Sequence, residues 1–353
     1  MVCSRVAEDW RAASAGPAIH RDRAIKSDKN AAFLLLANTS DRLGNVKNKK
    51  DTPMLKGSIP ALITPFKGGE IDWPAFDNLI EWQLAEGSHG FVPCGTTGES
   101  PTVTHDEHMA IVQRCIDVVK KRVPVIAGTG SNSTQEAIEL TQHAKKAGAD
   151  AALIVTPYYN KPTQDGMYAH FKAIHDAVNI PIVLYNIPGR CVVDLTNDTI
   201  ARLAELPRII GIKDAAGDLA RPLEITRTCG EDFIQLSGDD ITAAAFLAQG
   251  GTGCISVAAN IAPALCAGLQ NAWVDGDMET FSDIRDKLGP LGKGLFCESN
   301  PAPVKYGASK LGLCTDEVRL PLLPASAAAR KIVDAAMEYA GLKAVTFAKA
   351  ANG

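Results

Sequence analysis

Eight short runs rich in β-branched residues, each followed by a longer amphipathic stretch, constrain this chain more than any other feature of its sequence. The runs are 59–63, 90–93, 123–127, 152–155, 182–185, 209–213, 233–237 and 253–257. Helical periodicity falls between them over 74–86, 105–121, 134–147, 165–177 and 197–206. Thr104, Ser133 and Thr196 stand where helix N-caps are needed, and Gly87 and Gly148 follow helices as C-terminal stops. The strand runs lack polar alternation, so both faces of the sheet must be covered, as in a parallel sheet with crossover helices. Eight such units predict an α/β fold, a (β/α)8 TIM barrel, which usually takes about 250 residues. Beyond the eighth run, from Pro263 on, the chain reads as helix after helix, more than barrel closure needs. A C-terminal helical appendage is therefore expected. The boundaries are 1–53 for an N-terminal extension, 54–275 for the barrel and 276–353 for the helical region.

Composition separates the extension from the rest. Residues 1–53 hold ten Lys/Arg against six Asp/Glu, whereas the remaining 300 hold 26 against 34. The run Ala31–Ala37 is too short and too far along for a secretory signal, and Glu8, Asp9, Asp22 and Asp28 oppose a transit peptide. Met54 is read as the working start, with weak structure and no chemistry before it. The net charge of −4 gives no global basic field for nucleic acid or an anionic membrane. No run approaches the roughly 18 consecutive apolar residues of a membrane span. The nine cysteines are widely spaced and form no C-x-x-C pair. They read as reduced thiols, mostly buried, in a cytoplasmic protein.

In a barrel of this type the active site lies at the C-terminal ends of the strands. Lys213 ends the apolar run from Ile209, so its side chain is expected in the barrel mouth. Burial favours a neutral lysine amine, and a neutral amine is a nucleophile toward carbonyls. A surface lysine, or one held by Asp214, is the bland reading. Tyr185 ends the neighbouring strand, and its phenol can carry a proton to and from a carbinolamine or an enamine. Thr96 and Thr97 lie between two glycines after the second strand, where hydroxyls and N–H groups can bind a carboxylate. Arg190 follows Pro188-Gly189 on a loop, suited to a bidentate carboxylate clamp. His105 and His108 share one helix face, but no third metal ligand is evident. Gly128-Thr129-Gly130 lacks the remainder of a dinucleotide fingerprint.

Five segments then occur in order on successive strand ends: G-T-T-G-E-S at 95–100, V-T-P-Y-Y-N at 155–160, Y-N-I-P-G-R at 185–190, G-I-K-D at 211–214 and L-S-G-D-D at 236–240. From about Met54 to Leu342 the chain resembles the 4-hydroxy-tetrahydrodipicolinate synthase (dihydrodipicolinate synthase) family of pyruvate Schiff-base aldolases. The resemblance implies condensation of pyruvate with L-aspartate 4-semialdehyde, with no metal and no organic cofactor, in a homotetramer built as a dimer of dimers. It implies that Lys213 forms the imine and that Tyr185, Thr96 and Tyr159 form a proton relay, with Tyr159 entering the neighbouring subunit's site. Thr97, Ile255 and Gly238 match pyruvate-site positions, and Arg190 matches the group that receives the semialdehyde carboxylate. N-acetylneuraminate lyases and 2-keto-3-deoxy sugar acid aldolases share the barrel, the lysine and the tyrosine. They usually carry a serine in the second-strand loop and lack the arginine, so Thr97 and Arg190 favour the synthase. A binding protein on a decayed barrel is the reading from another class, and retention of Lys213, Tyr185, Thr96 and Tyr159 together opposes it.

The same resemblance implies feedback inhibition by L-lysine at a second site matching Ser100, Pro101, His105, His108, Asn132, Glu136 and Tyr158. Glu136 suits an ammonium, Asn132 and Tyr158 suit a carboxylate or amine, and neutral imidazoles add hydrogen bonds. Pro101 stands where enteric relatives carry a small alanine. Interface residues with no effector are the competing reading.

Overall fold

Residues 55–345 are described in a computed structural model of the chain, and the expectations for 1–53 lie outside them. Seven parallel strands form one curled sheet. In chain order they and the other elements are β1 (Gly57–Pro60), a two-residue hairpin β2 (Phe66–Lys67) and β3 (Glu70–Ile71), α1 (Trp73–Ala85), α2 (His105–Val119), β4 (Ile126–Gly128), α3 (Thr134–Ala147), β5 (Ala151–Val155), α4 (Gln164–Ala177) and β6 (Ile182–Asn186). The short α5 (Pro188–Cys191) follows, then α6 (Asn197–Ala204), β7 (Ile209–Asp214), α7 (Arg221–Cys229), β8 (Ile234–Ser237), α8 (Ala243–Ala248), β9 (Gly253–Ser256) and α9 (Pro263–Asp275). The chain continues as α10 (Met278–Gly294), α11 (Ala302–Lys310) and α12 (Ala327–Tyr339).

The sheet order is β1-β9-β8-β7-β6-β5-β4, with every pairing parallel. The expected second strand at 90–93 is the one that differs. It forms isolated parallel bridges, Ala61 to Val92 and Phe91 to Val125, instead of a continuous strand. Its backbone still bonds on both sides: Val92 N–H to Pro60 C=O at 3.0 Å, and Phe91 N–H to Pro124 C=O at 3.0 Å. Pro93 offers no N–H to extend that ladder, and Gly90 precedes it. The bridges join the sheet's two edges into a closed barrel. The hairpin β2–β3 and the turn α5 carry no period of their own and were not expected.

Interior and exterior follow from the two-residue period of a strand. On β6, Val183 and Tyr185 face the barrel interior with Ile59, Leu153, Leu236 and Ile255. Ile182 and Leu184 face outward with Phe171 of α4 and Leu203 of α6. The caps form as expected: Thr104 and Glu107 build a reciprocal capping box on α2, Ser133 caps α3 and Thr196 caps α6. Gly148 ends α3 at φ 96°, which favours glycine. The late helices share one apolar cluster with the barrel's first helices, since Leu291, Leu295, Val304 and Val333 pack in the same core as Phe76, Ile80 and Ile111.

Candidate active site

Lys213 and Tyr185 are register partners on adjacent strands, so one ladder position sets both side chains. The Lys213 ammonium lies 4.1 Å from the Tyr185 ring centroid, and both side chains are buried. The contact packs the amine against the face of the ring at the strand ends. Asp214 does not hold the lysine. Its carboxylate points outward, accepts the Arg221 Nε–H at 2.8 Å and the Ala216 N–H at 2.8 Å, and is itself buried. Gly238 completes this corner. An added Cβ there would stand 3.0 Å from Lys213 Cε and 2.8 Å from Ala215 Cβ, so glycine leaves the lysine chain its room. Ile255 on β9 lies on the interior floor beside these strands.

The loop after 90–93 is a tight turn. Gly98 N–H bonds Gly95 C=O at 3.1 Å and Glu99 N–H bonds Thr96 C=O at 3.2 Å. Gly128 allows the turn to settle on β4, because a Cβ there would meet the Cys94 carbonyl oxygen at 2.3 Å. Thr96 is half-buried and Thr97 buried, and the Thr97 hydroxyl accepts the Asn300 side-chain N–H at 2.9 Å.

A cavity of about 210 Å³ opens over these strand ends. Its wall includes Thr96, Ser100, Pro101, Tyr158, Tyr185 and Arg190, while Cys94, Gly128, Leu153 and Val155 add an apolar part. Tyr185 is the residue common to the cavity wall and the lysine. Arg190, on α5, donates to the Asn300 carbonyl at 3.5 Å and is otherwise exposed. Lys213, Thr97, Gly238 and Ile255 stand behind this wall rather than in it, and Tyr159 points away from the cavity into solvent. It is 91% exposed with φ 71°, a left-handed conformation that costs a non-glycine residue about 1–2 kcal/mol.

Most of the second constellation comes together beside the cavity. The His105 Nε2 meets Glu136 at 2.6 Å, the Ser131 hydroxyl also donates to Glu136, and Asn132 donates to the Tyr158 carbonyl at 3.1 Å. The Ser131 bond foremost, and then the His105 contact, hold the Glu136 carboxyl below its ordinary range. His108 turns away from the group. Its Nε2 pairs with the Gly128 carbonyl at 2.9 Å, and burial pushes its pKa down to about 4. The two histidines of α2 thus serve different partners, and no group of His, Cys, Asp and Glu arranged to hold a metal ion occurs among the described residues.

Three residues at the site escaped the sequence reading. Asn300 bridges Thr97 and Arg190 from a segment more than one hundred residues away. Lys305 is fully buried on α11 and pairs with Glu99 at 2.7 Å. Arg221 neutralises Asp214. Only Lys305 left a trace in sequence, as a single lysine within the otherwise apolar 301–308.

The chain matches the dihydrodipicolinate synthetase family over residues 54–340. It is 62% identical over 289 residues to the 4-hydroxy-tetrahydrodipicolinate synthase of Rhodospirillum centenum, covering 82% of this chain and 99% of that protein. Among solved structures it is similar to the chloride-inhibited dihydrodipicolinate synthase of Acinetobacter baumannii complexed with pyruvate, with TM-score 0.79 and 47% identity over 81% of this chain and 99% of that one. It is likewise similar to the enzyme of Cyanidioschyzon merolae with lysine bound, with TM-score 0.79 and 39% identity over 81% and 98%.

Proposed function

The chain belongs to the dihydrodipicolinate synthetase family, and from that premise we propose how its own residues carry the reaction. The protein is a 4-hydroxy-tetrahydrodipicolinate synthase, a lyase that condenses pyruvate with L-aspartate 4-semialdehyde in lysine and diaminopimelate biosynthesis. The observation that carries the residue assignment is the Lys213–Tyr185 pair, a buried amine against a phenol that lines the cavity.

In this reading the neutral Lys213 amine attacks the pyruvate ketone carbon and water leaves to give an imine. The imine withdraws electrons, so a methyl proton is lost and an enamine forms. The enamine carbon attacks the aldehyde of the semialdehyde, whose own amine then displaces Lys213 as the ring closes. Tyr185 gives and takes the protons of these steps through Thr96, and Tyr159 of a neighbouring subunit completes the relay. Thr97 binds the pyruvate carboxylate, with Gly238 and Ile255 shaping its pocket. Arg190 receives the semialdehyde carboxylate as a fork.

The exposure of Tyr159, and its strained backbone away from its own cavity, support a neighbouring subunit at this face, in keeping with the homotetramer, a dimer of dimers, that the family resemblance implies. The eight described cysteines are free thiols, which supports the cytoplasm as its compartment. The cluster of His105, Asn132, Glu136 and Tyr158 next to Ser100 and Pro101, with His108 behind it, supports L-lysine as an inhibitor there. We further assign the chemistry to the barrel, residues 54–275, and treat 276–353 as a helical region applied to it.

The test is pyruvate trapping with borohydride followed by a coupled assay with either aspartate semialdehyde or sugar acids. A reduced pyruvate adduct at Lys213, absent from Lys213→Ala and Lys213→Arg, is expected, because a guanidinium is not nucleophilic at neutral pH. A normal adduct on the Lys213→Ala protein would refute the assignment.

A further inference from the structure

We propose that Glu99 and Lys305 form a positioning pair by which helix α11 fixes the catalytic loop at Thr96 and Thr97. The proposal rests on the reading of those threonines given above.

Glu99 adopts φ 57° and ψ 36°, an unfavourable left-handed conformation for a glutamate, and closes the turn that begins at Thr96. Both its carboxylate oxygens are used inside the protein. One accepts the Lys305 ammonium at 2.7 Å and the other the Arg319 backbone N–H at 2.9 Å. The two side chains of the pair are 1% and 0% exposed. Lys305 also lies 4.2 Å from the Phe66 ring centroid, and the Arg319 guanidinium lies 4.4 Å from the same centroid. Arg319 then reaches the far end of the loop, with bonds to the Thr102 carbonyl at 3.1 Å and to both oxygens of Glu107 at 2.7 and 2.6 Å. On the other side, Asn300 just before α11 binds Thr97. The loop is therefore gripped by the segment 300–319 at Thr97, Glu99 and Thr102.

A buried ion pair is a poor device for stability alone, because desolvating two charges costs several kcal/mol and an apolar pair of similar shape is often as stable. What the pair does supply is direction. A carboxylate with three residues' reach from Thr96 can satisfy Lys305 and the Arg319 N–H together only at this turn geometry. Lys213 and Tyr185 stand on strands of the barrel and make none of these contacts, so imine chemistry and loop placement are separable.

The experiment compares wild type with Glu99→Gln/Lys305→Met, in which both charges leave together so that neither is buried alone. The expected protein keeps a melting temperature near wild type and still forms the reduced pyruvate adduct. Its kcat falls at least about tenfold and its KM for pyruvate rises, as a loop displaced by part of an ångström would give. Its KM for the semialdehyde stays within about twofold, because Arg190 stands on α5 of the barrel. A purely structural role would not divide the two substrates in this way. Glu99→Asp, which keeps the charge and withdraws the carboxylate by one methylene, should show the same division and decides the matter if the double variant does not fold. A folded double variant, or Glu99→Asp, with kcat and pyruvate KM within about twofold of wild type overturns the proposal. Thr96→Val and Thr97→Ala run beside them. If these turn over normally, the reading of the threonines has failed; if they are impaired while the pair variants are not, only the pair's role has failed.

Discussion

Gly238→Ala should disable Lys213 without removing any group that touches substrate. The residue follows β8, its N–H bonds the Asp214 carbonyl at 2.7 Å, and its φ lies outside the left-handed region, so alanine meets no backbone strain of its own. The new Cβ would stand 3.0 Å from Lys213 Cε and 2.8 Å from Ala215 Cβ. Carbon atoms rest at about 3.5–4.0 Å, so an overlap of about 0.5 Å or more must be relieved. The backbones of β7 and β8 are tied by the pairs Lys213–Leu236 and Asp214–Ser237 and resist movement. The lysine side chain can yield to its own contact, but Ala215 Cβ is fixed to the backbone, so the chain at 215 and 238 must part as well, and both movements displace the amine. A misplacement of about 1 Å at a reacting group lowers rate about 10²-fold, so half of that predicts roughly a tenfold slower imine formation. Overpacking of this kind destabilises by about 1–3 kcal/mol, a fall of several degrees in melting temperature. The assay is the rate of borohydride-trapped pyruvate adduct at sub-saturating pyruvate, read by intact mass, with thermal unfolding alongside. A folded Gly238→Ala protein that traps pyruvate at the wild-type rate would refute the claim that this glycine exists for the lysine.

Tyr159→Phe should lower turnover by about 10²-fold while pyruvate trapping stays near normal, since only a relay hydroxyl is lost; unchanged turnover would show that the relay runs elsewhere. Millimolar L-lysine at saturating pyruvate should inhibit wild type but not Glu136→Ala, and equal inhibition of both would dismiss the second site. Acid should destabilise the protein between pH 6.5 and 4 through His108 and His170, both buried with pKa pushed down to about 4 by desolvation. The unfolded chain binds the extra protons in that window, so stability falls as pH falls through it, by about 3 kcal/mol for each histidine at most. Denaturant midpoints of His108→Gln and His170→Gln should be flatter over that range, and wild-type-like slopes in both would contradict the assignment.

The sequence by itself determined the parts of this protein that repeat or cap. Apolar runs without polar alternation required a sheet covered on both faces, and Thr104, Ser133 and Thr196 marked helix starts that the structure keeps. The placement of Lys213 and Tyr185 side by side was legible because each lies at the end of a strand of known direction, where a barrel has its mouth. Local pattern misjudged 90–93, where Pro93 and Gly90 leave only bridges. It also read Asp214 as a possible partner for Lys213, an expectation that the alternation of successive side chains along a strand already opposes. Only the tertiary structure could bring Arg221 onto Asp214 and Asn300 onto Thr97. The same holds for Lys305, buried against Glu99 across more than two hundred residues. Such contacts have no period and no spacing rule. They arise where the late helices fold back on the barrel and each buried charge must find its partner, a condition that the whole fold imposes and no local segment contains.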